Sequence, residues 1–478
     1  MTIKHQASGA TGLVSTLLGV ADCDFIKGGD GKQAKGNVFN LLHTGEPLKY
    51  CPKCQGAMHR HGERVLRVTD TPNGAEPTVL AIHIPRYRCT SCGHIEQPKV
   101  QGVNEEHYMT ERAVLAIAKR GLETTFRSIS GDYGISHETA KKILTKYLDD
   151  HEDRMIFATP TFLGIDEIKI RGLGEVTVIT DLEHRTLFDL LLGRNQKQLT
   201  AYFGKLKGRE GVQWVCSDMY RPFEKSIATS LPNAKWVIDR FHVVMKANEA
   251  VDYVRRKVQQ SLPAKVRVKT KHGLAYTLRK RQKDLSPEES SQLLILRRSQ
   301  TTPTNETNKK LSKLITAFDL KEDFANIFEE PSKADANAAF VAWEASIPKD
   351  RVFTKFRELA KTFRRFQVQI LNRWDCPIAL TNGYTECANR LIRECNMKGR
   401  GYSFKILRAR MLFRSANLEK IALNGGLTYG PLLTGKSQFG EGLLSEASTE
   451  DEDWIIGDGD SGDADDLPEV KEPEDVPY

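Results

Sequence analysis

The sequence predicts an α/β core that is preceded by a small β module and a helical pair and is interrupted by a long helical insertion. Three observations lead to this. Two Cys-x-x-Cys pairs, at 51–54 and 89–92, bracket two runs of alternating polarity joined by Thr71-Pro72-Asn73-Gly74. A helical period then runs from Met109 to His151. From Thr161 five β-type runs follow: TFLGIDEIKI, EVTVITD, RTLFDLLLG, VQWVCSD and AKWVIDRFHV.

With 478 residues, 40% of them hydrophobic, the chain is longer than one core usually organises, so several domains are expected. The pattern divides into an N-terminal segment (1–45), the cysteine-bracketed hairpin (46–100), the helical pair (101–155), the first part of the α/β core (156–254), a helical insertion (255–372), the second part of the core (373–435) and an acidic tail (436–478). In the first segment, Gly12–Val20 reads as a short amphipathic stretch and Val38–Leu42 as a strand, and no chemistry is assigned to either.

The net charge of +8 conceals an asymmetry. Residues 441–478 hold fifteen Asp and Glu against one Lys, a balance of −14, so the preceding 440 residues carry +22. An excess of that size favours a polyanionic partner through counterion release. The longest apolar runs, such as Thr186–Gly193, fall well short of the roughly 20 residues that a membrane span needs, and the N-terminus lacks a basic start followed by an apolar block. The expected location is cytoplasmic, nucleoid-associated when bound to DNA, with no membrane partner.

Nine cysteines, an odd number, argue against a disulfide framework. Cys51, Cys54, Cys89 and Cys92 instead form two knuckles that can share one structural Zn²⁺, because the hairpin between them returns the second pair to the first. The 34 residues between the pairs exceed the usual gap, and two strands and a turn account for that length. His59 and His61 are nearby rivals, and four-cysteine coordination is the preferred reading. Arg60, Arg64, Arg86 and Arg88 lie where such a zinc ribbon would present them to DNA.

Thr125 can cap a short helix, Gly134 can supply a left-handed turn, and Ser136 can cap a second helix, which is the layout of a helix-turn-helix. In the second helix Ala140, Ile143, Leu144, Tyr147 and Leu148 form an apolar stripe. His137, Glu138, Thr139, Lys141, Lys142 and Thr145 lie on the remaining surface, as a recognition helix requires.

Asp166 ends the apolar run FLGID, and Asp218 ends VQWVCSD. Glu386 begins a helix after Asn382-Gly383, where the positive helix end favours an ionised carboxylate. Projected at 100° per residue, Glu386, Asn389, Arg390 and Arg393 share one face, opposite Ala388, Leu391, Ile392 and Cys395. Cleavage of a phosphodiester needs an activated hydroxyl on one side and charge stabilisation on the other. Two divalent ions held by a few carboxylates supply both. Taken singly, each acid is an ordinary turn residue, and Glu394 rivals Glu386. Asp181 and Asp189 read as surface or turn acids.

The order CPKC, CTSC, helix-turn-helix, GIDE, SD, DRFH and TNGYTECANRLI resembles bacterial insertion-sequence transposases of the DDE superfamily. It resembles in particular the family with an N-terminal zinc ribbon and a helical insertion in its catalytic domain. The resemblance covers roughly residues 45–425 and is most specific at Leu163–Glu167, Asp239–His242, Asn382–Asn389 and Lys398–Tyr402. It implies a ribonuclease-H-like core in which Asp166, Asp218 and Glu386 are the catalytic acids and hold two Mg²⁺ ions, for which Mn²⁺ can substitute. It further implies supporting roles for Asp239, His242 and Asn389, cleavage at terminal inverted repeats, and strand transfer by the freed 3′ end. Arg390, Arg393, Lys398 and Arg400 join the recognition-helix residues as DNA-contact candidates. By the same analogy the partners are double-stranded DNA, as transposon ends and target, and a second copy of the chain pairing two ends. A transposase-derived regulator without catalysis and another ribonuclease-H-like nuclease are the alternative readings.

Within the insertion, Phe340, Trp343, Phe353, Phe356, Phe363 and Phe366 recur at helical spacing and read as core. Its basic clusters, Arg279-Lys280-Arg281 and Arg364-Arg365, read as surfaces that could track a DNA backbone. The acidic tail has the composition of a disordered segment that keeps a basic protein soluble.

Overall fold

The cysteine-bracketed hairpin is longer than its sequence pattern announces, and the N-terminal segment is built into it. The computed structural model describes residues 11–26, 31–33, 36–151, 156–263, 274–301, 306–414, 417 and 427–428; the acidic tail lies outside them. A short helix, α1 (Thr11–Leu18), and strands β1 (Cys23–Phe25), β2 (Gly31–Gln33) and β3 (Gly36–His43) precede the hairpin β4 (Met58–Asn73) and β5 (Glu76–Cys89). Gly74 turns the hairpin at φ +67°. With β6 (Ile95–Glu96), β7 (Val103–Asn104) and β8 (Met109–Thr110) they form one sheet of order β1-β3-β5-β4-β8-β7, in which β2 pairs with β3 and β6 with β5. Val14, Leu41, Val68, Leu80, Ile82 and Ile84 share its core. Val14, Val20, Cys23 and Leu41 of α1, β1, β3 and the segment between α1 and β1 therefore cover the hairpin with apolar surface that the two long strands could not bury alone.

The sheet is tied to the next module through Asp70, which is fully buried. Its carboxylate accepts from Thr110 Oγ1 at 2.6 Å and Arg112 Nε at 2.8 Å. Thr110 also caps α2 (Glu111–Glu123) by accepting from the Ala113 N–H at 3.2 Å. The capping residues read from the sequence then act as expected. Thr125 accepts from the Ser128 N–H and opens α3 (Phe126–Tyr133), Gly134 ends it at φ +64°, and Ser136 accepts from the Thr139 N–H at the start of α4 (His137–His151). The stripe Ala140, Ile143, Leu144, Tyr147 and Leu148 is buried.

After β9 (Ile156–Phe157), five strands build the second sheet: β10 (Phe162–Ile170), β11 (Gly174–Asp181), β12 (Thr186–Leu192), β13 (Trp214–Ser217) and β14 (Lys235–Ile238). Their order is β12-β11-β10-β13-β14, antiparallel among the first three and parallel from β10 to β14. Each parallel step needs a crossover, supplied by α5 (Gln196–Lys205) and α6 (Arg221–Ser230). This mixed α/β order is the one expected of a ribonuclease-H-like core. A long helix, α7 (Arg240–Ser261), leaves β14 and carries the insertion: α8 (Leu274–Arg279), α9 (Pro287–Thr301), α10 (Glu306–Asn326), α11 (Lys333–Ser346), α12 (Thr354–Arg365) and α13 (Gln367–Leu371). The chain returns to the sheet through α14 (Gly383–Lys398) and α15 (Phe404–Leu412), and β15 (Leu427–Thr428) pairs with β9. No helix among the described residues is long and apolar enough to cross a membrane.

The insertion shares a hydrophobic core with one face of the second sheet, and all six aromatics expected to be core are buried. Phe340 and Phe363 stack with centroids 3.9 Å apart, and Trp343 Nε1 donates to Leu320 O at 2.7 Å. The basic clusters are turned to internal use. Arg281 binds Glu322, Glu329 and Asn326, Lys280 binds Glu289, Arg364 binds Glu344 while lying over Phe340, and Arg365 lies over Phe366. These contacts answer part of the charge within the fold, and Arg364 and Arg365 also remain exposed.

Because Phe363 is fully buried against Phe340 and Phe324, Phe363→Ala is expected to cost about 3–5 kcal/mol of unfolding free energy. Denaturant titration followed by tryptophan fluorescence checks this, and a change under 1 kcal/mol would contradict the shared core.

Candidate active site and metal centres

Alternation along β10 decides which way the first acid faces. Leu163 and Ile165 point into the core shared with the insertion, whereas Ile168 and Ile170 point to the opposite face, against α14 and α15. Asp166 belongs to the second set. The strand does not end at this acid, as the run FLGID implied, because the alternation EIKI continues the ladder with β11 as far as Ile170. Asp166 is therefore held in mid-strand, 8% exposed. Its Oδ1 accepts from the Glu167 N–H at 2.8 Å and its Oδ2 from Asn389 Nδ2 at 2.7 Å.

Strand register aligns the next acids. Gly164 pairs with Cys216 across β10 and β13, and Ser217 pairs with Ile238 across β13 and β14. Continued past the strand ends, the same register puts Asp166, Asp218 and Asp239 in one row across three adjacent strands. Asp218 accepts from the Tyr220 N–H at 3.1 Å. Asp239, 1% exposed, caps α7 by accepting from the Phe241 N–H at 3.3 Å, which places His242 in the first turn of that helix.

Glu386, in the first turn of α14, brings a carboxylate oxygen within 4.8 Å of ligand atoms of Asp239 and His242, and a buried polar knot sets where that turn begins. Asn382 Nδ2 donates to Ile165 O at 3.1 Å, and its backbone N–H donates to Asp239 at 3.3 Å. Thr385 Oγ1 donates to Asn382 Oδ1 and meets Thr180 Oγ1, each at 2.6 Å. Gly164 leaves room for this approach: a Cβ there would lie 2.4 Å from Thr180 Oγ1, 2.5 Å from Thr385 Oγ1 and 2.7 Å from Asn382 Oδ1. The sequence reading used the Asn-Gly turn and passed over the roles of Gly164, Asn382 and Thr385. Small and short polar residues beside the motif acids were the available signal. The helical projection needs one adjustment, since Asn389 is buried against Asp166 while Arg390 and Arg393 face solvent. Glu394 lies two turns beyond Glu386, away from the knot.

Burial and mutual repulsion both act on the acids of this site. Burial pushes the Asp218 carboxyl up, with His242 opposing the shift and Asp166 reinforcing it. Burial likewise raises Glu386, reinforced by Asp239 and Asp166, and raises Asp239 against the Phe241 N–H. Carboxylates arranged in this way fit hard divalent ions, which take oxygen ligands. On the other face of β10, Glu167 binds Arg194, which also binds Glu175 at 2.8 Å and lies over the Tyr220 ring. Asp181 and Asp189 are both buried. Asp181 closes its turn by accepting from the Glu183 and His184 N–H groups, as a turn acid should. Asp189 is instead a brace, accepting from Arg408 Nε at 2.6 Å and Tyr202 OH at 2.9 Å.

The four cysteines converge, with Cys51 and Cys92 sulfurs 3.6 Å apart and Cys54 and Cys89 sulfurs 3.4 Å apart. A disulfide would need about 2.05 Å, whereas the edge of a tetrahedral zinc–thiolate site is about 3.8 Å. Each knuckle turns through a left-handed residue, Gln55 at φ +61° and Gly93 at φ +72°. The Ser91 and Cys92 N–H groups donate to Cys89 Sγ. The cluster fits a structural zinc ion, and His59 and His61 remain exposed outside it.

Of the DNA-contact candidates, His137, Lys141, Lys142, Arg390, Arg393, Lys398 and Arg400 are exposed. Thr139 and Thr145 are half-buried, and their hydroxyls meet Ser136 Oγ and Lys141 O. The segment Lys398–Tyr402 closes α14. A Cβ on Gly399 would strike the Tyr402 ring at 2.1 Å, and Arg400 takes φ +54°. The Tyr402 ring in turn receives Arg410, which also covers Phe126 and donates to Thr124 O at 2.6 Å.

Residues 163–411 match the model of a family described as transposase, of the DDE ISL3 type, and residues 49–93 match the zinc-finger binding domain of the IS66 transposase. The chain is similar to the transposase for insertion sequence element IS1001 of Bordetella parapertussis, 24% identical over 364 residues that span 74% of this chain and 85% of the relative. It is also similar to the transposase for insertion sequence element IS1557 of Mycobacterium tuberculosis, 26% identical over 285 residues, or 54% of this chain and 61% of the relative.

Two outcomes follow from this geometry. Cys89→Ser is expected to lose its bound zinc in elemental analysis, while the parent holds one equivalent; full retention would exclude the four-cysteine site. Gly164→Ala is expected to lower unfolding free energy by about 1–3 kcal/mol through overpacking of the knot, and an unchanged denaturation midpoint would show that the knot can yield.

Proposed function

Because this chain belongs to the DDE-superfamily transposases of insertion sequences, with an N-terminal zinc-binding motif and a ribonuclease-H-like catalytic domain, we propose that it binds the terminal inverted repeats of its element and catalyses Mg²⁺-dependent cleavage and strand transfer. Asp166, Asp218 and Glu386 are the catalytic acids in this reading. What supports it most is that the register of β10, β13 and β14, extended past their paired residues, carries Asp166, Asp218 and Asp239 to one level, with Glu386 beside Asp239 on a helix start tied to β10.

The chemistry is two in-line displacements. In the first, a water oxygen bonds to phosphorus, the P–O3′ bond breaks, and the 3′-oxygen leaves as a hydroxyl. In the second, that 3′-oxygen bonds to a target-strand phosphorus and the target's own 3′-oxygen leaves, so one phosphodiester replaces another. Two Mg²⁺ ions, held by Asp166, Asp218 and Glu386, would activate the attacking oxygen and stabilise the leaving one. The residues contribute by preorganisation. Asn389 and the Glu167 N–H fix both oxygens of Asp166. The Tyr220 N–H orients Asp218, and the knot holds Glu386 at the positive end of α14.

The exposed His137, Lys141 and Lys142 of α4 would read or track duplex DNA, with Thr139 and Thr145 at the edge of that surface. Arg390, Arg393, Lys398 and Arg400 would hold the phosphate backbone near the acids. Asp239 and His242 support the site, and two protomers would pair two ends. The presence of all three acids in the sequence weighs against a transposase-derived regulator.

Incubation with Mg²⁺ and a duplex carrying the terminal repeat tests the reading. Asp166→Asn, Asp218→Asn and Glu386→Gln are each expected to lose at least about 10³-fold in cleavage while retaining DNA binding. Full cleavage by all three variants would sink the assignment, and binding without cleavage by the parent would favour the regulator.

A further inference from the structure

Among the described residues, two groups of ion-binding side chains have ligand atoms that all lie within 4.8 Å of one another. They are the four cysteines and the set Asp239, His242 and Glu386. The second set differs in composition from the expected triad. It contains one of the three catalytic acids and adds an imidazole, which a site for Mg²⁺ alone does not require. Three features point to an ion seat. Asp239 and His242 stand at i and i+3 in the first turn of α7 and so share a face. The Asp239 carboxylate accepts two long bonds, 3.3 Å each, from the backbone N–H groups of Phe241 and Asn382. His242 Nε2 is buried and has no hydrogen-bond partner, although a buried ring nitrogen normally finds one.

We propose that Asp239, His242 and Glu386 form the seat of one active-site divalent ion, with the imidazole of His242 as a nitrogen ligand. This rests on reading the site as a phosphodiester-cleaving centre. Glu386 then serves both the carboxylate row and this seat, and Asp239 and His242 are ligands rather than supports. One nitrogen beside two carboxylates favours a transition ion of the Mn²⁺ class over Mg²⁺, which prefers an all-oxygen octahedron. The seat predicts tighter binding of Mn²⁺ than of Mg²⁺ and a Mn–nitrogen bond that a pure three-acid site would lack.

Pulsed EPR on zinc-loaded, full-length protein with one equivalent of Mn²⁺ tests this. Hyperfine modulation from a directly bound ¹⁴N is expected in the parent, to be replaced by the ¹⁵N pattern when only histidine is ¹⁵N-labelled, a change that leaves the fold untouched. His242→Gln is expected to lose the nitrogen signal and to weaken Mn²⁺ binding, followed by calorimetry, by about tenfold or more. Asp166→Asn is expected to keep the signal. Absence of nitrogen coupling in the parent, or its persistence in His242→Gln, would overturn the proposal. Cleavage of terminal-repeat DNA by the same parent preparation separates the two readings. Cleavage without nitrogen coupling removes the seat and leaves the transposase reading intact, whereas coupling without cleavage does the reverse.

Discussion

The approach of α14 to β10 is the constraint on which the catalytic half of this protein depends. Asn382, Thr385 and Thr180 exchange hydrogen bonds in a space that exists because residue 164 has no side chain. Helix and strand come from sequence positions more than 200 residues apart, and the whole insertion lies between them. Buried polar groups tolerate little variation in geometry, because an unmade bond in a dry interior is costly. The knot thus converts a long loop closure into a defined helix start, and Glu386 follows from it one turn later.

What the knot positions is electrostatically uncomfortable. Asp218, Asp239 and Glu386 are each driven toward the protonated form by burial, and neighbouring carboxylates add to the push on Asp218 and Glu386. Such strain is tolerated where a cation relieves it, which is why perturbed carboxylates cluster at functional sites. The zinc cluster is the opposite case. Its sulfurs close on one another at the open end of the hairpin, where β4 and β5 begin and end, opposite the Gly74 turn.

Much of this was legible in the chain. The cysteine pairs, the caps Thr125 and Ser136, the left-handed Gly134 and the five strand runs all depend on local rules, and local rules survive folding. Asp166, Asp218 and Glu386 stood out through apolar runs, a helix start and a family resemblance, although the strand that carries Asp166 runs on to Ile170. Less visible was whatever depends on register or on distant partners. That Asp239 lines up with the other acids follows from the pairing of β13 with β14, which no spacing in the sequence reveals. Asp189 resembles any acid on a strand until Arg408 and Tyr202 arrive from other elements to bind it. Nor does the sequence reveal which glutamates bind Arg281 and Arg364 of the insertion. The burial of Asn389 reverses half of a helix face that a simple projection had assigned to solvent.

The packing of α4 and α15 also bears on how such a protein can evolve. Leu122, Leu144 and Leu148 of the helix-turn-helix share one apolar cluster with Ile168 and Val178 of the catalytic sheet and Ile406 and Leu407 of α15. Arg410 is clasped between an aromatic ring from each side of that boundary. A module joined to its neighbour by a linker can be exchanged like a cassette, but one that completes its neighbour's core cannot. Substitution in α4 is therefore confined to its solvent face, where a change leaves the joint with the sheet intact.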